Sequence, residues 1–173
     1  LVASVPQPDE FTEVNYDRRR HRIMASQIEM RHAAVNLGFI GDDGLIRPEV
    51  MAAIQPVLQG KVLVFGAHAT VARALYQTLA SPGERTALLT GSNLKPEKER
   101  VLTLFKTGVF DTLIGTATLA TGTDGLDKVC DTLLILDDTD DDALRRQLIG
   151  RIMPRGEDTD ASNKKVFRLT LLT

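Results

Sequence analysis

"KVLVFGAHATVARALYQTLASPGERTALLT", residues 61–90, decides the fold. Its first five residues, 61–65, form a short aliphatic run of the kind that fills a strand buried on both faces. The apolar spacing then changes period. Ala72, Leu75, Tyr76 and Leu79 recur at i, i+3, i+4 and i+7, which makes one apolar face of a helix. Ser81, Pro82 and Gly83 punctuate its end, and "TALLT" at 86–90 reads as a second strand. Strand, crossover helix, strand is the unit from which a parallel sheet is assembled.

The same alternation continues downstream. Pro96 sits where a first helical turn tolerates proline, and Val101, Leu102 and Phe105 form the inward stripe of a helix that Gly108 ends. A strand at 111–116 follows, then a glycine-broken loop at 117–130, a strand at 132–136, an acidic turn, a helix from about 141 to 153 and a last strand at 166–172. Upstream the composition differs. In "DRRRHRIMASQIEMRHAAVNLGF", residues 17–39, Ile23, Met30, Ala34 and Leu37 share one helical face with basic residues around it, and residues 47–58 make a second, shorter helix. The expected organisation is a helical appendage over 1–59 leading into an α/β domain over 60–173.

Composition narrows the function classes. A chain of 173 residues supports one substantial core. With 21 basic against 23 acidic residues, no global field favours nucleic acid, so a partner of that kind has to be held by a local patch. Cys130 is the sole cysteine, which excludes an internal disulfide and a cysteine-based zinc site and fits a reducing compartment. No apolar run approaches the roughly 20 residues that span a bilayer, and the first residues, "LVASVPQPDEF", carry neither a basic leader nor a long hydrophobic region. A cytoplasmic or nucleoid-associated protein without membrane contact is expected, and the missing initiator methionine suggests a piece of a longer one.

The polar residues gather where strands end. In "RRQLIGRIMPRG", residues 145–156, four-residue spacing puts Gln147 and Arg151 on one helical face, about 100 degrees from the inward Leu144 and Leu148. Gly150 costs about 1 kcal/mol against alanine inside a helix, a cost easier to understand where a ligand or another backbone comes close. Pro154 then ends the element, with Arg155 behind it. A solvated basic helix end is the plain alternative. In the 116–123 loop, Thr116, Thr118, Thr121 and Thr123 place hydroxyls beside glycines whose amides suit a phosphate. His68 and Thr70 follow the first strand, with Thr70 able to cap the next helix. Thr90 and Gly91 follow the second strand, before Ser92 and Asn93 as further candidate caps.

"TGSNLKPEKERVLTLFKTGVFDTLIGTATLATGTDGLDKVCDTLLILD" followed by "QLIGR" resembles the second RecA-like domain of superfamily 2 helicases and translocases, over residues 61–156. "TGTDGLD" resembles that family's motif V, and "QLIGR" its motif VI, Gln-x-x-Gly-Arg-x-x-Arg. The resemblance implies a RecA-like parallel sheet with helices on both faces, behind the small helical appendage. It implies an ATP-dependent helicase in which Arg151 is an arginine finger, aided by Gln147, at ATP and Mg²⁺ bound mainly by an absent N-terminal RecA-like domain. Such fingers are worth about 10³ to 10⁵ in rate. It further implies that Thr90, Gly91, Thr116, Thr118 and, by likeness to motif IV, His68 meet the backbone of a DNA or RNA strand. In two places the chain departs from the pattern. Pro154 occupies the position of the second motif VI arginine, so Arg155 stands one place late. The motif V glycine and aspartate register either as Gly122 and Asp124 or as Gly125 and Asp127.

Other readings fit less well. "LLILDDTDDD" looks like the Mg²⁺-holding strand end of a nucleotide hydrolase, but no Gly-x-x-x-x-Gly-Lys-[Ser/Thr] loop accompanies it. Asp137 and Asp138 are therefore expected as a solvated strand end and helix-capping acids, and no metal ligand is assigned. The run 17–20 with His21 and Arg22 reads as a solvated charged face. The turn after 65 lacks Gly-x-Gly-x-x-Gly, which argues against a dinucleotide oxidoreductase. A non-catalytic RecA-like interaction module remains the alternative. Without a phosphate-binding loop, the chain alone is expected to be inactive as an ATPase.

Overall fold

A computed structural model describes residues 3–4, 11–15, 22–32, 38–79, 85–137, 141–153 and 164–172. In chain order the elements are β1 (Ala3–Ser4), β2 (Phe11–Asn15), β3 (Arg22–His32), α1 (Pro48–Ile54), β4 (Val62–Gly66), α2 (Ala69–Leu79), β5 (Thr86–Leu89), α3 (Lys95–Lys106), β6 (Thr112–Gly115), β7 (Thr132–Asp137), α4 (Asp142–Gly150) and β8 (Lys165–Leu172). Two 3-10 turns, Ala117–Ala120 and Leu126–Lys128, lie between β6 and β7.

Eight strands form one sheet in the order β1-β3-β8-β7-β4-β6-β5, with β2 beside β3. From β8 to β5 every neighbouring pair is parallel. The alternation read from residue 61 onward is therefore present, as a RecA-like sheet. Every residue of β4 is buried, which explains why its sequence is an apolar run without polar alternation. Leu63 and Phe65 face a core shared with Leu102 and Phe105 of α3 and Leu148 of α4. Val62 and Val64 face the opposite core, with Val50 and Ile54 of α1 and Ala72 and Leu75 of α2. Helices thus cover both faces.

The expected helical stripes hold in detail. Ala72 and Leu75 are fully buried, with Tyr76 and Leu79 packed against the same core. Leu102 and Phe105 are buried and Val101 is half-buried beside them. Pro96 lies in the first turn of α3. Gly108 has φ +91°, a left-handed conformation that glycine adopts without strain at a helix end. Residues 81–83, expected to close α2, lie outside the described residues.

The first third corrects the sequence reading. Where helical spacing over 17–39 predicts a helix, Arg22–His32 is a strand. It pairs parallel with β8 and antiparallel with β1 and β2. The segment also fits a period of two, with Met24, Ile28 and Met30 at even positions. Pairing with β8 decides between the two periods, as tertiary context commonly does for strands. The second predicted helix is present as Pro48–Ile54, seated in the α2-side core.

Candidate functional site

Because β4, β5, β6 and β7 run parallel, their carboxyl ends open on one edge of the sheet, where α/β folds bind ligands. His68 follows β4, Thr90 and Gly91 follow β5, Thr116 follows β6, and Asp137 ends β7. Arg151 comes to this edge from the end of α4.

Leu148 and Ile149 seat α4 in the core, and Arg151 continues it as the C-terminal cap residue in α-helical geometry. Its guanidinium spans the loop after β6. Nε donates to the Ala120 carbonyl at 2.9 Å, Nη2 donates to the same oxygen, and Nη1 donates to Asp124 Oδ1 at 3.0 Å. The side chain is 19% exposed while that of Asp124 is 75% exposed. The arginine is therefore fixed by three donors and its partner carboxylate stands at the surface. Arg151 itself is therefore not a solvated helix end, although Arg146 in the same stretch is exposed. Gln147, one turn earlier, is exposed on α4. Pro154 and Arg155 lie outside the described residues.

Two lysines from α3 hold the same loop. Lys98 Nζ donates to the Thr118 and Thr121 carbonyls at 2.7 and 2.8 Å, and Lys106 Nζ donates to the Asp124 carbonyl at 2.6 Å. Desolvation, and then the nearby Arg151 charge, push Lys98 below the ordinary lysine value. Lys98, Leu102 and Lys106 are spaced i, i+4, i+8, so one face of α3 buries Leu102 and reaches the loop on either side of it. This spacing was the available sequence signal, and the sequence reading did not use it. Inside the loop, the buried Thr123 hydroxyl donates to the Leu119 carbonyl at 2.7 Å. Gly122 and Gly125 both adopt positive φ, 64° and 90°. At the far end, Lys164 Nζ donates to the Asp127 carbonyl at 2.6 Å, so Asp127 and Asp124 occupy different ends of the loop.

The residues expected at a nucleic-acid strand do not all meet. Thr90, Gly91 and Thr118 line one cleft of about 380 Å³, together with Lys98, Thr121 and Gly122. The buried Thr118 hydroxyl has no hydrogen-bond partner among the described residues. Thr116 is 8% exposed, lies beneath the loop and does not line that cleft. His68 stands apart, over the ends of β4 and β7.

Three capping assignments change. Helix α2 begins at Ala69 with Val71 N and Ala72 N donating to the His68 carbonyl, so Thr70 lies inside the first turn and caps nothing. Leu94 is the N-cap of α3 without a side-chain bond, because Asn93 Oδ1 accepts Thr90 N at 2.7 Å and Thr90 pairs with the Ser92 hydroxyl. Asp137 is 8% exposed and accepts both the backbone N–H and the ring Nδ1 of His68, so it is not the solvated strand end expected. Asp138 lies outside the described residues. Asp141 caps α4, accepting from Leu144 N at 3.1 Å. Among the described residues no group of three or more His, Cys, Asp and Glu could hold a metal, and no helix is long and apolar enough to cross a membrane.

A parallel, doubly covered sheet whose polar loops cluster at the strand carboxyl ends, with an arginine from the last helix laid across one of them, defines a RecA-like domain. Residues 49–156 match the helicase conserved C-terminal domain, more than half of the chain, and the chain belongs to that family, the C-terminal RecA-like domain of superfamily 2 helicases. Among solved structures it is similar to the C-terminal part of the Fun30 ATPase domain, with TM-score 0.60, 18% identity, and coverage of 73% of this chain and 44% of that one. It is also similar to the C-terminal domain of the DEAD-box protein Dbp5, with TM-score 0.57, 21% identity, and coverage of 72% and 71%. A third is a variant of S. cerevisiae Dbp5 bound to RNA and ADP BeF3, with TM-score 0.55, 22% identity, and coverage of 70% and 31%. At these identities the likeness establishes the fold. The chain spans less than half the length of the Fun30 structure it matches. No curated protein matches it.

Proposed function

We propose that this chain is the C-terminal half of an ATP-dependent nucleic-acid helicase or translocase, supplying an arginine finger and part of the strand-binding face. The single observation that carries the reading is the seating of Arg151. A planar fork of donors, held on a loop of glycine and threonine by three of its five N–H groups, keeps two for phosphoryl-transfer charge as it develops. Its contact with Asp124 supports the register of motif V on Gly122 and Asp124, with Gly125 and Asp127 continuing the loop toward Lys164. Gln147 is one turn away on the same helix and open to a neighbouring domain. ATP and Mg²⁺ would be held mainly by an N-terminal RecA-like domain of the same protein, since no phosphate-binding loop occurs in this sequence. The chemistry ATP supplies is transfer of its terminal phosphoryl group to water.

The cleft bearing Thr90, Gly91 and Thr118 suits a phosphate backbone. It offers an exposed glycine and the Lys98 ammonium, and no aromatic platform that would stack on bases. That Dbp5, of like fold, has a structure bound to RNA and ADP BeF3 supports both ligand classes here.

The test is steady-state ATP turnover by the intact protein at saturating nucleic acid. Arg151→Ala should lower the rate at least about 10²-fold with little loss of strand binding. Arg151→Lys should restore little, because an ammonium cannot span the Ala120 carbonyl and the Asp124 carboxylate as a fork does. Arg155→Ala should cost less than Arg151→Ala. A normal rate in Arg151→Ala, with an unchanged thermal melt, would reject the finger and leave a RecA-like interaction module.

A further inference from the structure

We infer that Asp137 is a positioning residue that holds the His68 imidazole over the crevice between β4 and β7, so that its Nε2 edge meets a phosphate oxygen of the bound strand. The inference rests on the strand-binding reading above and adds to it a buried carboxylate and a second contact point remote from the Thr90–Thr118 cleft.

Three features of the backbone converge on this pair. The strand register shifts between Phe65 and Gly66, so that Phe65 pairs with Ile135 but Gly66 pairs with Asp137. Such a bulge re-aims the residues beyond it. Ala67 N then donates to the Asp137 carbonyl at 2.8 Å, which carries the β4 loop along the end of β7. The chain also leaves the two strands in opposite directions. From β4 it crosses through α2 toward β5, and from β7 through α4 toward β8. Helices α2 and α4 pack on opposite faces of the sheet. The gap between the β4 and β7 ends is therefore the topological switch point, the place where open α/β sheets take their ligands.

The side chains are matched to that place. Asp137 Oδ2 accepts His68 N at 3.0 Å and His68 Nδ1 at 2.7 Å. Two donors on one residue fix both where the loop starts and which ring edge turns inward. Asp137 is buried to 12% side-chain exposure, while the His68 ring is 75% exposed. A solvent-exposed imidazole ordinarily samples several rotamers, at a cost in entropy whenever a ligand selects one. Here the carboxylate makes that selection in advance, and a carboxylate accepting at Nδ1 leaves Nε2 as the outward atom. When the ring is protonated it donates at both edges, to Asp137 and to a phosphate oxygen, and the buried carboxylate balances the charge. Exposed loop histidines need no buried acid. The pairing of a nearly buried carboxylate with a largely exposed ring is better suited to aiming the ring than to packing the core.

The experiment uses the intact protein and two probes, fluorescein-labelled oligothymidylate and oligouridylate, read by anisotropy and by the oligomer concentration that half-saturates ATP turnover. His68→Ala should raise that concentration roughly ten-fold, the worth of one charge-assisted hydrogen bond. Asp137→Asn, which keeps an acceptor for His68 N, should reproduce most of that increase. The double variant should be no worse than His68→Ala, because the carboxylate acts only through the ring. Asp137→Ser is the second substitution if the asparagine variant melts early. This chain has three histidines, and in nitrogen NMR of the histidine-labelled intact protein the His68 ring is marked by the resonances lost in His68→Ala. The neutral ring of the free parent should carry its proton on Nδ1, both ring nitrogens should be protonated in the strand complex, and the Nδ1 preference should be lost in Asp137→Asn and Asp137→Ser. Additive effects of the two single variants, or unchanged half-saturation in Asp137→Asn with an altered ring tautomer, would overturn the positioning role. Turnover that neither oligomer stimulates in the parent protein would remove the strand-binding reading itself, and this inference with it.

Discussion

Gly115→Ala should destabilise the domain through one side chain, Leu119, although alanine ordinarily suits a strand end better than glycine. A Cβ on residue 115 would sit 2.6, 2.7 and 2.9 Å from Leu119 Cγ, Cδ2 and Cδ1, where non-bonded carbons settle at about 3.5–4.0 Å. Something has to move by about 1 Å. Leu119 has no exposed surface into which to swing, and residue 115 is held by β4 on one side and β5 on the other. Overpacking of this kind costs about 1–3 kcal/mol, against a backbone gain of about 0.4–1 kcal/mol from removing a glycine whose φ is not positive. A net loss of about 1–2 kcal/mol remains, which lowers the melting temperature by roughly 2–8 °C for a domain of this size. Leu119→Ala alone should cost about 2–5 kcal/mol by leaving a cavity. In the double variant the new methyl occupies part of that cavity, so the losses should fall short of additive by at least about 1 kcal/mol. Urea unfolding of the four proteins, followed by circular dichroism, measures all three quantities. A Gly115→Ala protein within about 0.5 kcal/mol of the parent, or a strictly additive double variant, would refute the packing argument.

Further outcomes are expected from features of the same loop. Lys164 is 3% exposed and donates to the Asp127 and Cys130 carbonyls and to Asp131. Lys164→Met orphans two carbonyls and should cost about 2–3 kcal/mol in urea unfolding, whereas a surface lysine would cost nothing measurable. Burial pushes the Cys130 thiol above its ordinary value, so a thiolate-selective reagent should label native protein slowly and unfolded protein fast. Labelling should accelerate in Lys164→Met, and equal rates in the two native proteins would disconnect that lysine from loop closure. The 173-residue chain alone should show no Mg²⁺-dependent ATP turnover above a no-protein control, and turnover by pure folded chain would overturn the two-domain reading.

How much of this was legible in sequence depended on how local each cause was. Strands β4 to β8 were legible because a run such as that at 61–65 is apolar on both faces and bounded by turn residues. Arg22–His32 was not, because its apolar residues satisfy periods of both 3.6 and 2, and the partner that chooses between them is at the far end of the chain. At the site, Arg151 and His68 could be singled out by residue type and position after an element. Asp137 was misjudged because an acid at a strand end is usually solvated. Only the adjacency of β4 and β7, with its bulge, brings His68 to it. The spacing of Lys98, Leu102 and Lys106 marks one face of α3, but the partners of the two lysines are backbone carbonyls of a distant loop, which no side-chain pattern identifies.

The pairing of β3 with β8 governs the order in which the sheet is assembled. Met24 lies beside Lys165 and Arg31 beside Leu172, so this seam joins residues separated by nearly the whole chain. Strands β4 to β7 lie closer together in sequence, and each can be brought in by a short crossover. On a ribosome, β3 emerges before β4 to β7 and waits for β8, its parallel partner, to be made after them. Closing so long a loop adds little to the equilibrium cost, because that cost grows only with the logarithm of length. It weighs on rate instead, since distant pairings must be searched for before they are rewarded. Strands β4 to β7 can thus pair before β3 meets β8, and until β8 is made that side of β3 presents an open strand edge to neighbouring chains.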